Sequence, residues 1–182
     1  MRIAYLLFIP VLFGFISAPA DRSIDPEEFD VQFLEQLVHD KINELRIQKK
    51  RIPLISDSIL YVSAQDHSAY LIKLGKLSHL QSGDKSMKTP QDRAEYYGIE
   101  GYWVGENILY SYYNSNVDNG KNGQFKTYTY EILAEAILHS WKTSSSHLAN
   151  ILNPEYTLSG LALAVDFETK RVYVCQDFAK AK

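Results

Sequence analysis

The fold of this chain is decided at residues 161–176, which read LALAVDFETKRVYVCQ. Leu161, Leu163 and Val165 alternate with small residues, and Val172 and Val174 alternate with Tyr173 and Cys175. A period of two is typical of β-strands. The polar segment 168–170 between the two runs predicts a turn, so we interpret this part of the chain as a β-hairpin.

Upstream of the hairpin, apolar residues recur at helical spacing. Four helices are predicted. The first starts at about Phe33 and ends before Lys49, and the second runs from about Ser58 to Lys73. The third lies between Thr89 and Gly98, and the fourth runs from about Tyr130 to Lys142. Residues 144–146 break the last helix, and 147–152 are expected to add one turn. Residues 101–113 are predicted as a strand or extended arm and 114–127 as a polar surface loop. The pattern predicts one α+β domain, with helices first and the hairpin last.

Composition excludes several functional classes. The 182 residues are 46% hydrophobic and 23% charged, which favours a packed core over disorder. Lys and Arg number 19 against 22 Asp and Glu, for a net charge of −3. This balance gives no general attraction to nucleic acid. The single Cys excludes an intrachain disulfide framework and a multi-cysteine zinc site.

The N-terminus has the pattern of an export signal. Arg2 precedes an apolar run to Ile16, and Ala18-Pro19-Ala20 offers the small residues of a cleavage site. An uncleaved anchor is the alternative, although the run is shorter than a membrane-spanning helix requires. We expect residues 1–20 to be removed near Ala20, followed by an acidic linker (21–30) and one domain (31–182). The protein is then secreted, extracellular or periplasmic, without a transmembrane span in its mature form. The absence of disulfides favours a bacterial source.

Four short patches combine residue types that packing alone would not select. They are Leu77-Ser78-His79, Gly105-Glu106-Asn107-Ile108, Trp141 with Ser144, and the segment His147 to Leu152. In order and spacing they resemble the CAP superfamily, which groups cysteine-rich secretory, antigen-five and pathogenesis-related proteins with bacterial SCP-like domains. The resemblance extends from Leu34 to Phe178.

The resemblance implies an α-β-α sandwich, in which a small antiparallel sheet lies between helical layers below a cleft. That cleft carries two histidines and two acidic residues in the family. His79, Glu106 and His147 match three of them by motif. Ser144 occupies the usual position of the second acidic residue, and Asn107 is expected to line the same cleft.

Two imidazoles and one carboxylate can serve three purposes. They can bind a divalent transition metal such as Zn²⁺, act as an acid–base set, or form a buried polar network that fixes loops. The resemblance favours a weakly bound metal on His79 and His147, with Glu106 orienting a histidine or a metal-bound water.

The other reactive residue types are assigned ordinary roles. His39, His67 and His139 are predicted to be surface or boundary residues of helices, and Cys175 is predicted to face the core. The serines at 144–146 lack the nucleophile elbow of a serine hydrolase. Tyrosines near Glu106 either wall a groove or pack the sheet.

The leading functional hypothesis is a secreted binding module whose cleft recognises an extracellular lipid, glycan or peptide. The alternative is a metal-dependent hydrolase of peptide or glycan, with Glu106 as general base. A structural protein of the cell surface is a third interpretation.

Overall fold

The computed structural model describes residues 21–120 and 123–181, so the predicted signal segment lies outside the described residues. The helices are α1 (Val31–Gln48), α2 (Ser58–Leu74), α3 (Pro90–Tyr96), α4 (Tyr130–Thr143) and α5 (Ser145–Leu152). The strands are β1 (Ile55–Ser56), β2 (Tyr102–Tyr112), β3 (Asn116–Asp118), β4 (Gln124–Lys126), β5 (Leu158–Asp166) and β6 (Arg171–Ala181). A 3₁₀ turn spans Lys85–Met87.

The main sheet has the strand order β1-β5-β6-β2. The predicted hairpin is confirmed as the antiparallel pair β5–β6, and β2 pairs with the other edge of β6. The sheet is mixed rather than purely antiparallel, because β1 lies parallel to β5. A strand of two residues is too short to show a period in the sequence, so β1 was not predicted.

Helices cover both faces of this sheet, which confirms the α-β-α sandwich. Successive residues of a strand point to opposite faces. On one face, Leu109 and Val174 pack into the cluster formed with helices α1, α4 and α5. On the other, Ile108 and Cys175 pack against α2.

Helix α2 lies unusually close to the sheet at Gly160. A β-carbon at this position of β5 would collide with the backbone of Leu60 and Tyr61, so only glycine permits the contact. The helix begins at Asp57, whose side chain accepts the Ile59 and Leu60 amides, and ends at Gly75 in the left-handed region.

Some segments differ from their predictions. Residues 114–127, predicted as a loop, contain the β3–β4 pair, in which Val117 lies opposite Phe125. One apolar residue per strand is too weak a signal to show a hairpin in a polar sequence. Helix α5 has eight residues rather than one further turn. The segment 21–30, predicted as a linker, packs on the domain, because Ile24 is buried and its amide donates to Tyr128 O (2.9 Å).

A buried arginine fixes the end of α1. Arg46 donates to four backbone carbonyls: Ile52 (2.8 Å), Ile151 (2.6 Å), Asn153 (3.1 Å) and Tyr156 (3.0 Å). It therefore ties α1 to the end of α5 and to the segment that enters β5.

Candidate functional site

The site lies where five parts of the chain meet around the middle of β2. The loop after α2 carries His79, β2 carries Glu106 and Asn107, and α5 carries His147. Helix α3 and strand β6 add groups that the sequence did not indicate.

Glu106 is the centre of the arrangement. Its side chain is 1% exposed. The carboxylate can only accept, so the His79 Nδ1–H donates to Oε1 at 2.7 Å. Oε2 accepts from Arg93 and from the Cys175 thiol at 3.2 Å. Burial acts to raise the pKa of the Glu106 carboxyl, but the His79 hydrogen bond and the Arg93 charge outweigh it, so this pKa lies below its ordinary value.

Arg93 is the first residue that sequence reasoning missed. It is fully buried on α3, a short helix whose N-cap is Thr89 and whose first residue is Pro90. Besides Glu106, its guanidinium donates to the backbone carbonyl of His79 at 3.2 Å. Arg93 thus supplies the positive charge that permits a buried carboxylate and also holds the loop that carries His79.

The prediction that His67 is a surface or boundary residue is wrong. This α2 residue is fully buried, and its Nε2 lies 3.8 Å from Glu106 Oε2. Its ring contacts Ser78 O (2.8 Å) and Gln81 Oε1 (3.0 Å), on either side of His79. Burial lowers the pKa of His67. The sequence pattern of α2 does not indicate that the loop after this helix folds back over His67.

His147 is positioned from the opposite face of the sheet. Asn107, the neighbour of Glu106, donates to the His147 carbonyl (3.0 Å), and Asn150 donates to Asn107 Oδ1 (2.9 Å). Two adjacent β2 residues therefore contact both of the segments that carry these histidines. Burial, together with repulsion from His79, lowers the pKa of His147. His79 and His147 are thus near enough to interact electrostatically.

Ser144 does not replace the carboxylate expected at its position. It lies between α4 and α5, and its hydroxyl is 3.2 Å from that of Ser146. In the described part of the chain, the Ser144 side chain forms no hydrogen bond with His79, Glu106 or His147.

A second acid lies beneath the site, directly opposite Glu106 in the sheet. Asp177 of β6 is fully buried and accepts from Ser63 Oγ at 2.6 Å. Burial and the charge of Glu106 raise the pKa of Asp177 well above its usual value, so Glu106 carries the negative charge of the pair.

Cys175, predicted to face the core, is fully buried, and burial raises the pKa of its thiol. Glu106, Cys175 and Asp177 place one potential ligand atom each within 4.8 Å of one another. This cluster is unsuited to a cation, since the Arg93 guanidinium already occupies the Glu106 side. The group open to solvent is His79, whose side chain is 51% exposed.

The tyrosines near β2 serve packing in part. Tyr110 contacts Tyr112 and Tyr173 edge-on or tilted, and the Arg171 guanidinium lies over Tyr110 and Tyr112. Tyr96 and Trp103 are exposed.

These features define a sandwich in which a buried carboxylate accepts from one histidine and its neighbour Asn107 donates to the backbone of another. A family model described as CAP, "Cysteine-rich secretory protein family", matches residues 39–178. The chain belongs to this family. No curated protein matches it.

Solved structures share the fold at low identity. An extracellular protein containing an SCP domain from Bacillus anthracis has a TM-score of 0.62 at 22% identity, over 90% of this chain and 45% of that one. An outer surface protein from Borrelia burgdorferi has a TM-score of 0.63 at 18% identity, over 90% of this chain and 100% of that one. A cysteine-rich secretory protein from Staphylococcus aureus has a TM-score of 0.56 at 16% identity, over 83% of this chain and 40% of that one. The chain therefore spans less than half of the first and third proteins.

Within the described residues, no helix combines the length and apolar character needed to cross a membrane.

Proposed function

We propose that this CAP domain is an exported binding module whose cleft holds one divalent transition metal weakly, through His79 and His147. The observation that carries the proposal is the 2.7 Å hydrogen bond from His79 Nδ1 to Glu106. A carboxylate that accepts from one imidazole nitrogen orients the ring and leaves Nε2 as the metal ligand. Export is supported by the leader-like pattern of residues 1–20 and by two structural neighbours, one an extracellular protein and the other an outer surface protein.

The donor set fits a labile Zn²⁺ site. Metal binds neutral imidazole, and the lowered pKa of His147 favours that form. Glu106 is committed to Arg93 and His79, and Ser144 stands where an acidic ligand would be expected. Two protein ligands leave coordination positions to solvent, unlike the closed set of a structural zinc.

A bound Zn²⁺ supplies positive charge and exchangeable positions for an oxygen group of an extracellular lipid, glycan or peptide. The chain's own residues do the positioning. Glu106 and Arg93 fix His79 by its side chain and its backbone, and Asn107 fixes the segment that carries His147.

The burial of Glu106 supports binding over hydrolysis. A general base must reach the proton that it removes and needs a pKa near the working pH. The Glu106 carboxylate is almost wholly excluded from solvent, is bonded at both oxygens, and has a lowered pKa. The alternative of a metal-dependent hydrolase with Glu106 as base therefore ranks second.

The test is calorimetric titration of Zn²⁺ into the exported protein. We expect about one ion per chain, and His79→Ala and His147→Ala should each weaken binding at least about tenfold. His139→Ala is the matched control, because His139 lies on α4 and bonds Asn119 O instead. Glu106→Gln should weaken binding less than loss of either ligand, since it removes orientation rather than a donor.

If His79→Ala and His147→Ala both bound Zn²⁺ with the affinity of the unaltered protein, the proposed metal site would be wrong. Metal-dependent cleavage of a peptide or glycan library that Glu106→Gln abolishes would establish the hydrolase instead. An N-terminal residue near Asp21 in the exported protein would support processing of the leader.

A further inference from the structure

A polar cavity lies at the opposite edge of the sheet from His79 and Glu106. It has a volume of about 310 Å³ and is lined by α1, the start of α2, and the β1–β5 edge. Since each water takes about 30 Å³ in the liquid, the cavity has room for about ten waters. It forms where β1 stops pairing with β5 after Ser159, so that the edge of β5 continues without a strand partner in the described residues.

Glu35 of α1 lines this cavity, although the residue is only 8% exposed. Its Oε1 accepts the Leu163 amide (2.9 Å), and Oε2 accepts the Tyr61 hydroxyl (3.2 Å). Among the described residues, no Lys, Arg or His forms an ion pair with Glu35. Burial raises its pKa against these two hydrogen bonds, and no positive charge opposes the shift.

Glu35 differs in this respect from Glu106, the other deeply buried glutamate of the described chain. Glu106 has Arg93 in contact, so its charge is compensated inside the protein. An uncompensated buried carboxylate is costly. The fold does not require that cost, because a neutral Gln at position 35 could keep both contacts: its Oε1 can accept the Leu163 amide, and its Nε2–H can donate to the Tyr61 hydroxyl oxygen.

The rest of the lining also lacks positive charge. Burial lowers the pKa of His39, so its ring is neutral near pH 7. Asp57 is committed as the cap of α2. Tyr61 adds an aromatic ring at the same wall, and such rings attract cations.

We propose that this cavity binds one small organic cation, an alkylammonium or an alkylguanidinium group, against the Glu35 carboxylate. The ion pair supplies the compensation that the chain does not, and the cavity is large enough for a group the size of a basic side chain. This site shares no residue with the histidine cleft and does not rest on the function proposed there.

The test uses n-butylammonium and n-butylguanidinium as probes, with n-butanol as the neutral analogue, and follows the Leu163 amide by two-dimensional NMR. We expect saturable shifts with at least one cation and none with butanol. The stronger cation distinguishes a lysine-like from an arginine-like ligand.

Glu35→Gln should weaken binding at least about tenfold while the thermal midpoint does not fall. Glu44→Gln removes an equal charge from the exposed side of α1 and should leave binding unchanged. The His79→Ala/His147→Ala variant should also bind normally, which separates this site from the cleft.

The proposal would be overturned if neither cation produced a saturable shift of the Leu163 amide. Equal saturation by butanol, or undiminished binding by folded Glu35→Gln, would overturn it as well. The comparison of cation with alcohol needs only the wild-type protein, so it decides even if the variant fails to fold.

Discussion

Two arginines of this domain are fully buried, one on each face of the sheet, and they have different kinds of partner. Arg46 meets only backbone carbonyls, those of residues 52, 151, 153 and 156. Arg93 meets the Glu106 carboxylate and the carbonyl of His79. The first arrangement joins segments of the fold. The second compensates a charge and positions His79, so the same residue type is structural on one face and part of the candidate site on the other.

The largest effect is expected at Arg93. Arg93→Met leaves the Glu106 carboxylate buried without its cation, which should cost about 3–5 kcal/mol of unfolding free energy. The measurement is urea unfolding at about pH 7. The double variant Arg93→Met/Glu106→Gln removes the orphaned charge and should regain a substantial part of the loss. A double variant no more stable than the single one would show that Arg93 acts through packing alone.

A smaller effect is expected at Arg46. Arg46→Lys keeps the charge but replaces a planar fork by one ammonium, which cannot reach all four carbonyls, so we expect a loss of about 2 kcal/mol. Zn²⁺ affinity should be unchanged in this variant. Arg51→Lys is the control, since Arg51 is exposed and donates to Leu152 O at the same end of α5. Its stability should change by less than about 0.5 kcal/mol.

The same contrast explains how much the sequence could predict. His79, Glu106 and His147 lie in local patches with a recognisable order, so the sequence alone is enough to select them as candidates. Arg93 and His67 lie inside helices with no motif of their own. Their roles arise because α3 and the loop after α2 fold over β2, and contacts of that kind depend on tertiary packing.

The strands show a similar division. The β5–β6 hairpin has a long period-two pattern on both sides of a polar turn, which makes it readable from sequence alone. β1, in contrast, exists only because β5 offers an edge to Ile55 and Ser56. The sequence therefore could not predict the cavity beside β1. For the same reason it predicts only a surface or boundary position for His39.

The smallest expected effect is on the pH dependence of stability. The cost of Arg93→Met in unfolding free energy should depend on pH, whereas the cost of Arg46→Lys should not. Because the folded-state pKa of Glu106 lies below its ordinary value of 4.5, the pair contributes stability above that pH and loses it as the pH falls through the lowered pKa. In Arg93→Met, burial without the cation raises the Glu106 pKa, so protonation relieves the penalty as the pH falls. The cost of Arg93→Met should therefore shrink between about pH 7 and pH 4, whereas the cost of Arg46→Lys should stay constant, since carbonyls do not titrate in this range. Urea unfolding of the three proteins across this range measures both differences. Parallel curves for the two variants would mean that Glu106 is not the group that Arg93 compensates, and the electrostatic distinction between the two faces would fail.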